Sequence, residues 1–156
     1  MRTVIQRVKH AIVSIDAREK SRIGHGLLIL LGIAPTDTAA EADTLVRKIS
    51  AMRIFDDDAG VMNRSVIDTG GDCLVVSQFT LLADCRKGNR PSYIGAARPE
   101  VAIPLYEYFC QRLSEALQRP VPTGTFGADM QVSLLNDGPV TICLDTDTLT
   151  HSKPKD

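Results

Sequence analysis

Apolar and polar positions along the chain change period several times, and each change marks an element. Thr3 to Lys9 alternates as a strand, with Val4 and Val8 on one face and Arg7 on the other. Ala11 to Ile15 continues that pattern after a bend and predicts a second strand. Gly26 to Ile33 is almost entirely leucine, isoleucine and glycine, bounded by His25-Gly26 and Ala34-Pro35. Such a continuous apolar run predicts a central strand buried on both faces. The period then becomes helical. Thr38-Ala39-Ala40-Glu41 is a capping box, and Ala42, Leu45, Val46, Ile49 and Met52 recur at helical spacing, which predicts a helix over Ala39–Arg53.

Beyond it, Asp56-Asp57-Asp58-Ala59-Gly60 reads as a solvated turn; its spacing is not that of a calcium loop. Asn63 to Asp68 predicts a short strand or loop, and Gly70-Gly71-Asp72 another turn. Cys73 to Leu82 is a second strongly apolar strand whose C-terminal end carries Ser77-Gln78-Phe79-Thr80, where open sheets often place their chemistry. Arg86 to Tyr93 is a polar loop with three positive charges, readable as a mobile surface loop or as part of a site. A second helix is predicted over Glu100–Leu117, with Val101, Leu105, Tyr108 or Phe109, Leu113 and Ala116 or Leu117 on one face. Pro104 falls in about its first turn, where the missing amide is harmless. Thr123 to Leu144 is β-like, with Gly138-Pro139 between the last two strands, and 146–156 is a polar tail expected to fray. The order predicts one α/β domain over 1–156, with a mixed, largely antiparallel, barrel-like sheet and two main helices.

Composition narrows the function. The 156 residues are 44% hydrophobic and 24% charged, ordinary for a globular domain, and the net charge is −1. A chain that coats nucleic acid shows a strong basic excess, so any RNA contact here is a small local patch. No run of eighteen apolar residues predicts a membrane span, and the N-terminal segment lacks the apolar centre of a signal peptide, so a cytoplasmic protein is expected. Cys73, Cys85, Cys110 and Cys143 form no C-x-x-C pair and no ligand pattern with His10, His25 or His151. No metal and no cofactor is expected from that spacing, and the thiols read as small hydrophobes or bystanders.

The stretch that stands out is Asn136-Asp137-Gly138-Pro139-Val140-Thr141, between the apolar runs Met130–Leu135 and Val140–Leu144. By itself it is turn chemistry. It also reads as a rigid backbone corner, since X-Pro is the one peptide bond whose cis form is accessible, at about 0.5–1 kcal/mol.

Taken with Ser77-Gln78-Phe79-Thr80, this stretch resembles the paired signatures of the D-aminoacyl-tRNA deacylases. Gln6-Arg7-Val8, Gly88-Asn89-Arg90-Pro91-Ser92-Tyr93 and Thr123-Gly124-Thr125-Phe126-Gly127-Ala128-Asp129-Met130 are similar as well, so the likeness runs along nearly the whole chain. The resemblance implies a homodimeric hydrolase that cleaves the ester between a D-amino acid and the terminal ribose of tRNA. It further implies a cis Gly138-Pro139 bond that reaches across the dimer into the partner's pocket, beside Ser77 to Thr80. Pro104 and the polar tail match no family pattern.

An aminoacyl ester is already activated, so positioning and an oxyanion hole are the main requirements. Ser77, Gln78, Phe79 and Thr80 are the expected catalytic residues, with backbone N–H groups near Phe79 and Thr80 as donors. Thr80 as a nucleophile would need a base, and none lies near it in sequence. Water attack is therefore preferred, with Thr80 orienting or polarising and the ribose 2′-hydroxyl able to assist; a covalent Thr80 ester is the second mechanism. Gly138 and Pro139 are expected to reject L-amino acids by main-chain clash, a design that leaves glycyl-tRNA, including mischarged glycyl-tRNA(Ala), as a substrate. Arg7 is expected behind the corner, holding the Gly138 and Pro139 carbonyls with its fork of donors, unless it is a solvated edge charge. Phe126 and Met130 are expected to line the pocket, core packing being an equal account of each. Arg86, Lys87 and Arg90 are expected at phosphates near the tRNA 3′ end. Two other readings remain: a small-molecule esterase using threonine or serine, and a non-catalytic dimer that binds a ligand or an RNA end.

Overall fold

A computed structural model describes residues 1–150 of the chain. Residues 151–156, which hold His151 and the end of the expected polar tail, lie outside the described residues.

The N-terminal region is one strand, β1 (Arg2–Ile15), where two were expected. The bend between them is a bulge. Val8 pairs with Asn136 and His10 with Leu135, so Lys9 is the extra residue. A one-residue insertion flips the face on which later side chains point. Val8 before the bulge and Ala11 and Val13 after it accordingly reach the same core cluster. β2 (Arg18–Ile23) follows through a two-residue turn at Asp16-Ala17, both with positive φ, +51° and +60°. The sequence reading had no strand there. Arg-Glu-Lys-Ser-Arg-Ile carries little apolar signal, and Asp-Ala lacks the glycine that usually marks such a turn.

β3 (Gly26–Gly32) pairs antiparallel with β1 and parallel with β6 (Asp72–Ser77). It is buried on both faces as expected. Leu27, Ile29 and Leu31 enter one cluster and Leu28 the other. Between β3 and β6 lie α1 (Ala39–Ala51) and a small hairpin, β4 (Phe55–Asp56) with β5 (Met62–Arg64). The capping box is present at Thr38 and Glu41, the Thr38 N–H donating to Glu41 Oε2 at 2.7 Å. The acidic turn is closed by Asp57, whose Oδ1 accepts from the Ala59 and Val61 amides at 2.9 and 3.0 Å.

β6 ends at Ser77, short of the expected Leu82. Phe79–Leu82 is a 3₁₀ turn. The turn packs against Gly32, where an added Cβ would lie 3.0 Å from the Gln78 carbonyl oxygen. α2 runs Pro99–Leu117, one residue earlier than expected, with Pro104 in its second turn. Its buried face is Ala102, Tyr106, Phe109, Leu113 and Leu117; Phe109, Leu113 and Leu117 belong to the expected row, Leu105 is half-buried, and Val101 is exposed, so the face starts at Ala102 and Tyr106. The amphipathic Tyr106 explains the offset: its ring is buried while its hydroxyl donates to the Val75 carbonyl at 3.0 Å.

The last strand, β7 (Gln131–Asp145), is continuous, where two strands were expected. It pairs antiparallel with the free edge of β1. α3 (Thr146–Thr150) then begins where fraying was expected, and buried Thr146 donates its N–H to the Met1 carbonyl at 3.0 Å. Across the sheet the strands run β6-β3-β1-β7, with β2 beside the C-terminal half of β1 on the same edge as β3. The segment 122–124 ties β2 to β6. Ser21 Oγ donates to the Thr123 carbonyl, and Val75 exchanges backbone hydrogen bonds with Pro122 and Gly124 at 3.1 Å. The sheet therefore curls into a half-barrel, with α1 and α2 covering its outer face. No helix among the described residues is long and apolar enough to cross a membrane.

Candidate active site

Where β6 gives way to the 3₁₀ turn, the chain forms one wall of a cleft of about 300 Å³. Its lining comprises Val76, Ser77, Gln78 and Phe79 on one side and Phe126 to Met130 with Val132 on the other. The Gln78 N–H is spent on the Leu31 carbonyl at 2.8 Å, and the Leu81 N–H on the Gln78 carbonyl at 3.2 Å. The first N–H groups of a helical turn have no acceptor within it, which leaves those of Phe79 and Thr80 to point outward from the strand end. Thr80 sits on the exposed rim instead of in the cleft lining, and its hydroxyl accepts a close hydrogen bond from the Gln78 side-chain amide.

The far wall is set by the turn at Gly127 (φ +76°), closed by the Ala128 N–H donating to the Thr125 carbonyl at 3.2 Å. Phe126 both lines the cleft and packs edge-on against Tyr106, with centroids 6.2 Å apart. Met130 both lines it and packs on the inner core cluster. Its sulfur lies against Gly124, where a side chain would collide with it. Pocket and core, posed as alternatives for these two residues, are here the same surface. The sequence reading missed Val76, Gly127, Ala128, Asp129 and Val132 as lining residues. The Gly127 turn was the available signal. Burial pushes the Cys73 and Cys110 thiols up to about 12, so neither is a nucleophile near neutrality.

The Gly138-Pro139 bond is cis. The corner is a bulge in β7: Gln6 pairs with Thr141 and Val8 with Asn136, so β7 carries three extra residues against β1. Asn136 clasps it. Its Nδ2 donates to the Val140 carbonyl and its Oδ1 accepts from the Val140 N–H, both at 3.1 Å. The side-chain amide substitutes for a missing strand neighbour, which is why the ladder resumes and the strand stays continuous. Arg7 is buried behind the corner, 7% exposed. Nε donates to the Asp137 carbonyl at 3.0 Å, and Nη1 donates to the Ile54 carbonyl at 2.8 Å and approaches Asp56 Oδ1 at 3.4 Å. The carbonyl it holds is thus Asp137's, one residue ahead of the Gly138 and Pro139 carbonyls expected. Gly138 has φ +131°, and a Cβ there would lie 3.0 Å from Arg7 Nη2 and 2.9 Å from Val140 Cγ2.

One chain does not bring the corner and the cleft together. The corner lies opposite Arg7, which is in register with Leu27 and through it with Cys73; Ser77 is in register with Leu31. The two sites are therefore three strands apart across the sheet and four residues apart along it. Neither Gly138 nor Pro139 is among the residues that line the cleft.

The basic loop is anchored at its neck. Asp84 and Ser92 exchange backbone hydrogen bonds at 2.8 and 2.9 Å. Arg86, Lys87 and Arg90 are all exposed above that neck. Arg86 is not a free cation, since it donates to both oxygens of Asp84 at 2.9 and 2.6 Å. That contact, with a backbone hydrogen bond from Arg86, holds the Asp84 carboxyl down at about 2. The Tyr93 ring meets Phe79 edge-on at 5.1 Å, which joins the loop to the cleft wall.

Comparison with known proteins agrees with this architecture. The sequence profile described as D-Tyr-tRNA(Tyr) deacylase matches residues 4–145. The D-aminoacyl-tRNA deacylase of Bacteroides thetaiotaomicron is 60% identical over 146 residues, covering 94% of this chain and 97% of that one. Its namesake in Porphyromonas gingivalis is 62% identical over the same coverage, and that of Chromobacterium violaceum 58%. Among solved structures, one titled c-Myc DNA Unwinding Element Binding Protein superposes with a TM-score of 0.89 at 41% identity, covering 93% of this chain and 98% of that one. A probable eukaryotic D-amino acid tRNA deacylase shares the fold at 18% identity, with a TM-score of 0.79 over 92% of this chain and 97% of that one. A profile spanning all but the ends, together with relatives near 60% identity over almost their full length, places this chain in the D-Tyr-tRNA(Tyr) deacylase family of ester hydrolases.

Proposed function

We propose that the protein hydrolyses D-aminoacyl-tRNA as a homodimer, the Gly138-Pro139 corner of each subunit closing the Ser77–Thr80 cleft of the other. The observation that carries this reading is the separation of the two motifs on opposite edges of one chain's sheet. A corner that lines no part of its own chain's cleft does nothing for that cleft, whereas a second copy can supply it. Among the described residues β7 pairs only with β1, so its outer edge is open along the strand that bears the corner. Open edges of that length are ordinarily covered.

In this assembly water attacks the ester carbon, and the carbonyl oxygen gains negative charge facing the Phe79 and Thr80 N–H groups. The tetrahedral intermediate then collapses. The ribose oxygen leaves with a proton, and the products are a free D-amino acid and tRNA. Thr80, held by Gln78, orients or polarises, and the ribose 2′-hydroxyl assists the proton movement. Ser77 and Gln78 shape the wall, with Phe126 and Met130 opposite them. Arg86, Lys87 and Arg90 meet phosphates near the 3′ end. The activity belongs in the cytoplasm, where aminoacyl-tRNA is used, and serves chiral proofreading.

Selection against L-amino acids follows from rejection. Enantiomers offer the same groups, so extra attraction sorts them poorly, and a thousandfold preference needs only about 4 kcal/mol. A side chain can rotate away from a clash. Main chain clasped by Asn136 and backed by Arg7 has nowhere to go. Glycine presents no side chain to the wall, so glycyl-tRNA, including glycyl-tRNA(Ala), is cleaved too.

The deciding experiment compares loss of D-tyrosyl-, L-tyrosyl- and glycyl-tRNA with purified protein. Loss of the D and glycyl esters alone supports the reading. Equal loss of D and L esters indicates an unselective esterase, and loss of none leaves only binding. A monomer by sedimentation at assay concentration, with selectivity intact, overturns the cross-subunit wall.

A further inference from the structure

The aromatic pair beside the cleft has an unassigned role. Phe79 and Tyr93 meet edge-on at 5.1 Å, with an interplanar angle of 77°, and remain 53% and 40% exposed. Large aromatic rings that touch each other yet stay half in solvent are poorly explained by core packing. Their place in the molecule orders the surface outward from the cleft. Phe79 is cleft wall, Tyr93 stands next to it, and the neck at Asp84 and Ser92 immediately precedes Tyr93 in the chain. Beyond the neck come the exposed cations Arg86, Lys87 and Arg90.

We infer that Tyr93, braced by Phe79, is a stacking platform for the unpaired base next to the esterified nucleotide at the tRNA 3′ end. The proposal rests on the tRNA reading above and extends it by one nucleotide. Proteins that hold single-stranded RNA combine rings on which bases stack with cations that track the backbone. Here the rings adjoin the cleft, and the cations sit on the loop whose neck at Asp84 and Ser92 runs directly into Tyr93, which offers a strand leaving the ester both a ring and charge. A T-shaped contact leaves at least one face of Tyr93 free of Phe79, and stacking tolerates any base. The site therefore recognises an unpaired 3′ end without reading its sequence.

The test measures equilibrium binding of uncharged tRNA with intact unpaired 3′ nucleotides, and of the same tRNA trimmed back to its paired stem. Wild type, Tyr93→Ala and Tyr93→Phe are compared, with thermal melts of each variant. On intact tRNA, Tyr93→Ala is expected to weaken binding about 5- to 100-fold, the range of one base–ring stack. Tyr93→Phe should stay within about twofold, because the ring and not the hydroxyl does the stacking. The difference between wild type and Tyr93→Ala should disappear on trimmed tRNA. Unchanged binding by Tyr93→Ala, an equal loss with Tyr93→Phe, or an equal loss on trimmed tRNA each overturns the platform. Hydrolysis of D-tyrosyl-tRNA by the wild type is scored separately. If that fails while the Tyr93 effect persists, the deacylase reading falls and the platform stands.

Discussion

Arg7 Nε donates to the carbonyl oxygen of Asp137 at 3.0 Å, 130 residues along the chain, from a guanidinium that is almost fully buried. The same side chain holds the Ile54 carbonyl through Nη1, so one fork joins β1, the start of the β4–β5 hairpin and the corner of β7. Two carbonyls in different directions from one planar group is a task for arginine and not for lysine.

Arg7→Lys should therefore destabilise the fold by about 1–3 kcal/mol, the cost of leaving a buried carbonyl without its donor. Urea unfolding measures this. The preference for D over L esters should fall more than the rate on the D ester, because the corner loses its backing while the cleft is untouched. An unchanged urea midpoint would show that water replaces the fork.

Gly138→Ala tests the corner itself. At φ +131° a side chain is strained, and its Cβ would press on Arg7 and Val140 at 2.9–3.0 Å. Strain of this kind costs about 1–3 kcal/mol. We expect a folded protein with a lowered melting temperature and at least a tenfold loss of D-tyrosyl-tRNA hydrolysis. Wild-type activity would remove the corner from the mechanism.

Asp84 controls how much charge the basic loop offers. Its carboxyl titrates near 2, well below the ordinary value of about 3.9, chiefly because Arg86 donates to it. A depressed carboxyl contributes its stabilisation fully above that ordinary value and loses it only as pH falls through about 2. The Arg86 clamp is thus intact throughout pH 5–9 and adds no pH dependence to tRNA binding there. Asp84→Asn frees the guanidinium. We expect tighter tRNA binding at low salt and a log–log salt slope steeper by about 0.9, the release of one further counterion. An unaltered slope would mean that releasing Arg86 from Asp84 adds no phosphate contact.

Thr80→Ala separates the two mechanisms. The hydroxyl is exposed and engaged by the Gln78 amide, which is no base. Water attack predicts a loss of about 10- to 100-fold with residual activity, the scale of a misplaced positioning group. It also predicts no acyl-enzyme after acid quench of the wild type. A trapped Thr80 ester, with complete loss in the variant, would establish covalent catalysis.

How much of this was legible in the sequence follows the range of the interactions concerned. The capping box at Thr38, the doubly buried β3 and the helical spacing of α1 are local patterns, and each is visible within a dozen residues. The two motifs were visible as well, though only as a pair: Asn136 to Thr141 alone is turn chemistry, and its coincidence with Ser77-Gln78-Phe79-Thr80 carried the resemblance. What sequence could not supply was register. The extra Lys9 in β1 and the three extra residues in β7 are defined only by the partner strand, and they decide which face Ala11 presents and where the corner projects. The Arg7–Asp137 contact, the Asn136 clasp and β2 depend on the same long-range pairing. So does the opposition of corner and cleft across the sheet, since hydrogen-bond ladders fix positions between segments that share no local signal.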